Sequence, residues 1–396
     1  MNIFFLLLGI CFSNFAYAID IHHLIEIAKP FDEITIPFGA YKVGTILIDK
    51  PLTIKGIGMP ILDGQGEKNT VKIEAPDVII EGFEIIGSGY SEVAEYAGVK
   101  IEAGERCEVK NNKFNNNTYS VFLVKSKDCR IFNNIISADA KYEATSGNGV
   151  HLWNCKGIIV EDNVIRGHRD GIYIEFTTDS MIKNNLSEQN IRYGLHFMYS
   201  HRNKYVRNSF LNNQTGVAVM YSKNIEMLEN DFQKSWGRSS YGLLLKDISD
   251  SYIGYNSFRG NTMGIVCDAA SRNIFIGNSV KDNGWALNIL GNSESNFFKN
   301  NVFISNFFDA MTNAERTTNV FWGNYWNLYF GYDLNYDGIG DSPYRPMKMF
   351  AKWVAKYPEL TVLLGSPVVE FLEIAEKVFP ILTPITFMDS APLMRR

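Results

Sequence analysis

The chain has 396 residues, a formal charge of −5, 13% aromatic residues and only 20% charged ones. Sparse, net-acidic charge with no basic cluster lacks the positive stripe that phosphate contact needs, which excludes nucleic acid as a partner. The 32 glycines, 20 tyrosines and 27 phenylalanines suit β-structure better than a helical bundle.

Residues 1–18 read as a secretory signal. Ile3 to Cys11 is an apolar run too short to span a bilayer, and Ala16-Tyr17-Ala18 is a small-x-small cleavage site. Export follows, with the mature chain starting at residue 19. His22 to Ala28 predicts one or two helical turns, suited to plugging the open end of a stacked repeat. From Ile34 the pattern changes to short β runs punctuated by turn residues.

A repeat then takes over. Gly194-Leu-His-Phe-Met-Tyr-Ser returns as Gly216-Val-Ala-Val-Met-Tyr-Ser, 22 residues later. An Asn recurs at 112, 134, 163, 185, 208, 230, 256, 278, 301 and 324, mostly 22 or 23 apart. The residues two after and three before each Asn are apolar in all but one case (Ser187), so both columns face inward. The Asn itself tolerates left-handed backbone and can pass side-chain hydrogen bonds along the stack. A second column starts with glycine at 98, 149, 171, 194, 216, 242 and 264, with Ser120 and Ala286 filling gaps, and its first and third following residues are apolar. Three short runs per period predict a right-handed parallel β-helix over residues 19–330, an all-β fold of about 11–12 coils. Two longer spacings mark loops near Ser137–Asn148 and Gln233–Ser240, bracketing the coils that start at Gly149, Gly171, Gly194 and Gly216.

The residues two and four after those glycines should face outward. They are His151 and Trp153, Tyr173 and Glu175, His196 and Met198, then Ala218 and Met220. An ordinary exposed sheet carries Thr, Lys and Glu. This face suits three roles: aromatics packed under a covering loop, a docking surface for another protein, or a relay for a soft metal such as copper(I). No tight ligand spacing supports a stored metal. Cys107 and Cys129 occupy one column in adjacent coils, and both buried thiols and a disulfide fit that spacing.

The repeat ends near Trp326. Asp333, Asn335, Asp337, Ile339 (through its carbonyl) and Asp341 then follow the first nine positions of a calcium loop, with Gly338 at the turn. Tyr344 replaces the bidentate Glu, so a complete EF-hand is excluded, leaving a partial calcium site or a self-capped turn. Residues 331–396 otherwise form a loop and helical tail. Helices are predicted over Met347–Lys356 and Pro367–Phe379, the second with an apolar face of Val368, Phe371, Leu372, Ala375, Val378 and Phe379 opposite Glu370, Glu373, Glu376 and Lys377. Prolines at 367, 380, 384 and 392 break the tail, so it either folds back on the β-helix or reaches a partner.

Tyr193–Phe232, the run from Tyr241-Gly-Leu-Leu-Leu-Lys-Asp-Ile248 through Ile265, and Tyr332–Pro346 together resemble the NosD family of maturation factors for nitrous oxide reductase. The resemblance implies a periplasmic β-helix scaffold needed to assemble the reductase's copper site. Its implied partners are the apo-reductase, a membrane ABC transporter and a copper chaperone, with transient copper and no tightly bound cofactor. It supplies no catalytic residues. The rival reading is a carbohydrate-active β-helix enzyme, for which Glu175, Lys246, Asp268 and the His168-Arg169-Asp170 turn are the available groups.

Overall fold

The computed structural model describes residues 19–91 and 93–394; the secretory signal expected over 1–18 falls outside the described residues. Short strands, mostly three to six residues, stack in strict parallel register into three sheets of 13, 13 and 12 strands. The solenoid therefore has about 13 turns, more than the 11–12 expected. The difference lies in the first coils, where Ile57 and then Phe83 occupy, on the two preceding turns, the register position that Asn112 takes. The helix α1 (Ile21–Ile27), N-capped by the Asp20 side chain, seats Ile21 and Ile25 in the core and closes the first turn.

The recurring asparagines form one continuous buried ladder. Each side-chain oxygen accepts the backbone N–H of the preceding Asn, from Asn112 to Asn324, at 2.9–3.0 Å. Each amide then donates to a carbonyl of an earlier turn, so buried backbone groups at this corner are satisfied by side chains. Between the corners the inward columns stack like on like. Phe210, Phe232 and Phe258 lie face to face, as do Phe275, Phe298 and Phe321. The four cysteines at 107, 129, 155 and 267 are buried free thiols. Cys107 N–H meets Cys129 Sγ at 3.4 Å, while Cys107 Sγ donates to the Ala75 carbonyl.

The tail caps the far end. Asp389 is fully buried and takes the place of the next ladder Asn: its Oδ2 accepts Asn324 N–H, Asn324 Nδ2 and Trp326 Nε1 at 2.9–3.1 Å. Residues around Asp389 and Leu393 also bridge in parallel to Phe321 and Tyr325, a fragment of one more turn. Helix α2 (Met349–Lys356) packs Phe350, Ala351 and Val354 against Phe308 of the last turns. Helix α3 (Pro367–Val378) turns most of its apolar face outward. Val369 and Glu376 are buried, and Glu376 accepts the Met349 N–H at 2.8 Å, capping α2. Val368, Phe371, Ile374 and Val378 are exposed. The tail thus folds back through α2 and leaves an apolar face free on α3. No helix among the described residues is long and apolar enough to cross a membrane.

Candidate functional site: a polar groove beside an aromatic rib

The expected outward residues share one sheet, in the register the glycine column implied. One row runs Lys100, Phe122, His151, Tyr173, His196, Ala218 on successive rungs, and a second runs Glu102, Val124, Trp153, Glu175, Met198, Met220. The face divides into two parts.

The first part is a groove of about 560 Å³ along the earlier rungs. Its floor is a ladder of rings: Phe122 on His151 at 4.4 Å, His151 on Tyr173 at 4.7 Å, Tyr173 on His196 at 5.0 Å between centroids. His151 and His196 are not exposed as expected but 5% and 6% accessible, because neighbouring rings and loops cover them. Loops account for the shift. The one before Ala97, absent from the repeat pattern, contributes Glu95; the one after Ser137 brings Glu143 to 4.0 Å from Arg192. The groove thus starts two rungs before the boundary drawn at Gly149, at Lys100, and ends at His196, one rung short of the boundary at Gly216. The same offset from Gly98 and Ser120 would have placed Lys100, Glu102 and Phe122 here.

Asp170 is fully buried behind the groove. Burial alone would raise its carboxyl, but the bidentate Arg192 hydrogen bonds and the adjacent charges hold it below the usual range. His196 Nδ1 lies 3.6 Å from Asp170 Oδ2, beyond hydrogen-bond length. His168, Arg169 and Asp170 do not form one cluster. His168 lies in the interior, 3.3 Å from Ser120 Oγ, Asp170 holds Arg192, and Arg169 lines the groove. Asn148 Nδ2 donates to His151 Nδ1 at 3.4 Å, which leaves the His151 proton on Nε2, facing no partner. Burial, then the nearby Arg169 and Lys100 charges, depresses His151 to about 3, so this imidazole is neutral. Tyr173 O–H reaches Glu175 at 3.4 Å, and burial raises its phenol.

A joint copper site on the two histidines is ruled out by spacing: Tyr173 stands between them, and two rungs separate them by about 9.6 Å. Among the described residues no group of three or more His, Cys, Asp or Glu side chains is placed to share a metal. In the 333–341 loop, Asp333 accepts the amides of Asp337 and Gly338, Asn335 that of Asp337, Asp337 that of Ile339, and Asp341 that of Leu334. Those oxygens hold the turn. Tyr344, at the missing Glu position, packs against Trp326 and Tyr329.

The second part is a rib. One residue beyond Glu175, Met198 and Met220, the chain turns through left-handed backbone at Phe176, Tyr199 and Tyr221, with φ of 50°, 49° and 53°. At this position the flanking rungs carry Lys125, Asn154, Asp247 and Ala269. Bulky residues avoid this region of backbone space, yet three consecutive rungs place aromatics there. They stack at 5.3 and 4.9 Å, with Phe176 and Tyr199 exposed. Met198 and Met220 stand half-buried beside them, paired in register. Glu175, Met220, Lys246 and Asp268 do share a row, but Asp268 is four rungs from Glu175, so no paired-carboxylate centre forms there.

Fold and face together define a three-sheet parallel β-solenoid with a lateral groove and an aromatic rib. Residues 55–146 and 133–331 match the family described as periplasmic copper-binding protein (NosD), and the chain belongs to that family. It is 31% identical over 382 residues to a probable ABC transporter binding protein NosD of Stutzerimonas stutzeri, covering 91% of this chain and 86% of that one. A Pseudomonas aeruginosa protein of the same name is 29% identical over 89% of this chain and 86% of its own length. Among solved structures, the A-module of an Azotobacter vinelandii mannuronan C-5 epimerase matches with TM-score 0.43 and 16% identity, over 78% of this chain and 85% of that one.

Proposed function

We propose that this protein is a periplasmic docking scaffold for maturation of the copper site of nitrous oxide reductase, and that the rib receives the copper-deficient reductase or its copper chaperone. The observation that carries this reading is the run of Phe176, Tyr199 and Tyr221 in left-handed backbone beside Met198 and Met220. Each aromatic held there costs about 1–2 kcal/mol relative to a permissive residue. Single aromatics take such backbone elsewhere, at Phe31, Tyr255 and Tyr336; a stacked run of three on consecutive rungs is what marks a surface with a use. Rigid aromatics and adaptable thioethers are enriched where protein partners meet. The thioethers, with His196 on the same strand as Met198, also offer a soft surface for transient copper. The free apolar face of α3 supplies a second contact, which we assign to the membrane ABC transporter, in keeping with the names of the curated relatives.

The test is Met198→Glu combined with Met220→Glu. Both side chains are only half-buried, so the protein should fold, while copper-site assembly in the cell should fail. Normal assembly in a strain carrying the double variant at wild-type abundance would refute the assignment.

A further inference from the structure

The groove has a chemistry that partner docking on the rib does not use. Its buried polar atoms are unusually short of partners. His151 Nε2, both nitrogens of His196 and Arg169 Nε make no hydrogen bond within the protein. His151 and His196 are more than nine-tenths buried and line the cavity. Buried polar atoms are normally satisfied, so a cluster of exceptions in one cavity marks a place for a ligand.

The groups around them restrict what that ligand is. The donors are His151 Nε2–H, Arg169 Nε–H and the Lys100 ammonium, which donates to the Ala94 carbonyl at 3.3 Å. Acceptors stand among them: the Glu175 carboxylate meets only Tyr173 O–H, Glu95 lies within electrostatic reach of Lys100 and Arg169, and Glu102 of Lys100. A ligand of anions alone would face three carboxylates. A ligand of hydroxyls alone would leave Lys100 and Arg169 only the partial compensation of Glu95 and Glu102. A metal finds its imidazoles two rungs apart. A peptide strand has no sheet edge to join, because every strand from Lys100 to His196 is paired on both sides. A chain of hydroxylated rings bearing carboxylates satisfies both sets, and the ring ladder gives it a floor about 14 Å long.

We propose that this groove binds a carboxylated glycan, seating a carboxylate between Arg169 and Lys100 and sugar hydroxyls on Glu175 and Glu95. Asp170 and Arg192 act behind the floor as positioning residues. The same chemistry is offered by uronate chains and by the muramic-acid glycan of the cell wall.

Titration calorimetry on the full chain tests this with three probes: a tetragalacturonate, a muramic-acid-containing wall fragment and maltotetraose. Saturable binding of either carboxylated probe, and about tenfold weaker binding of maltotetraose, is expected; which of the two binds identifies the source. Arg169→Gln and Lys100→Gln should each weaken the bound probe about tenfold, while Met198→Glu with Met220→Glu should leave it unchanged. That last comparison separates this site from the docking rib. Equal affinity for the neutral probe, absence of binding by both carboxylated probes at millimolar concentration, or affinity unchanged in Arg169→Gln would overturn it.

Discussion

Replacing Asp389 by Ala is the most direct test of how the solenoid is closed. Its Oδ2 is the acceptor for Asn324 N–H, Asn324 Nδ2 and Trp326 Nε1, and Oδ1 accepts Ala391 N–H at 3.1 Å. Truncation strands three buried donors on the last turn, each worth about 1–3 kcal/mol. Part of that loss is offset because a buried carboxylate no longer has to be desolvated. We expect a net cost of about 3 kcal/mol, concentrated in the terminal rung, since solenoid turns contact only their neighbours. Global melting reports such a local loss poorly, so hydrogen exchange is the assay. Peptides covering Phe321–Trp326 and 386–394 should open on the order of 100-fold more often, while those over Gly149–Met220 stay as in the parent. Asp389→Asn keeps an oxygen at the same place and should cost only about 1 kcal/mol. Unchanged exchange in Asp389→Ala, or equal damage from Asn and Ala, would refute the reasoning.

Asp309 makes the same junction sensitive to pH. It is fully buried, hydrogen-bonded by Tyr344 O–H at 3.4 Å, and burial raises it from 3.8 to about 7 against the weaker pull of Lys348. The folded state therefore favours the neutral acid. Its stability contribution is complete below about pH 4 and is lost as pH rises toward and past 7, by at most about 4 kcal/mol. The buried His151 and His168, depressed to about 3 and about 4, act in the opposite sense on acidification below 6.5. Comparison with Asp309→Asn isolates the carboxyl: the variant should gain relative to the parent between pH 5 and pH 8 in exchange of the Phe308 and Phe350 segments. On α3, Phe371→Glu with Ile374→Glu changes side chains that are 69% and 59% exposed, so stability should shift by about 0.5 kcal/mol or less per site. Co-purification with the ABC transporter from detergent extracts should be lost; its retention would remove α3 from that contact.

The periodic part of this molecule was legible because every turn repeats the same burial problem. Two apolar columns and one Asn column are enough to set the register, and strand pairings from Glu108 to Trp326 follow it. The first turns escaped because the corner there carries Ile57 and Phe83 in place of Asn: Ile57 N–H donates to the Ile36 carbonyl, and Phe83 N–H to the Asn112 side chain of the next turn. The face was found, but its division was not. An offset of two or four from glycine says which side of a sheet a residue is on, not that Arg169 and Glu95 arrive from loops to enclose it. Phe176, Tyr199 and Tyr221 were hidden for another reason. They sit at a turn, and nothing in a strand pattern distinguishes a strained aromatic from a loop residue until the backbone is seen. For α3, amphipathicity identified the apolar stripe, but Glu376 reaches the N-terminus of α2 and rotates that stripe toward solvent. The cap by Asp389 depends on a contact across 65 residues, beyond any local signal.

The central claim is that the rib meets a protein of the copper pathway, and a photo-crosslinking residue in place of Tyr199 tests it in intact cells. The account predicts a covalent adduct with the copper-deficient reductase or the copper chaperone, absent when the probe replaces Tyr255, an exposed aromatic outside the rib. Adducts from Tyr255 but none from Tyr199 would contradict it.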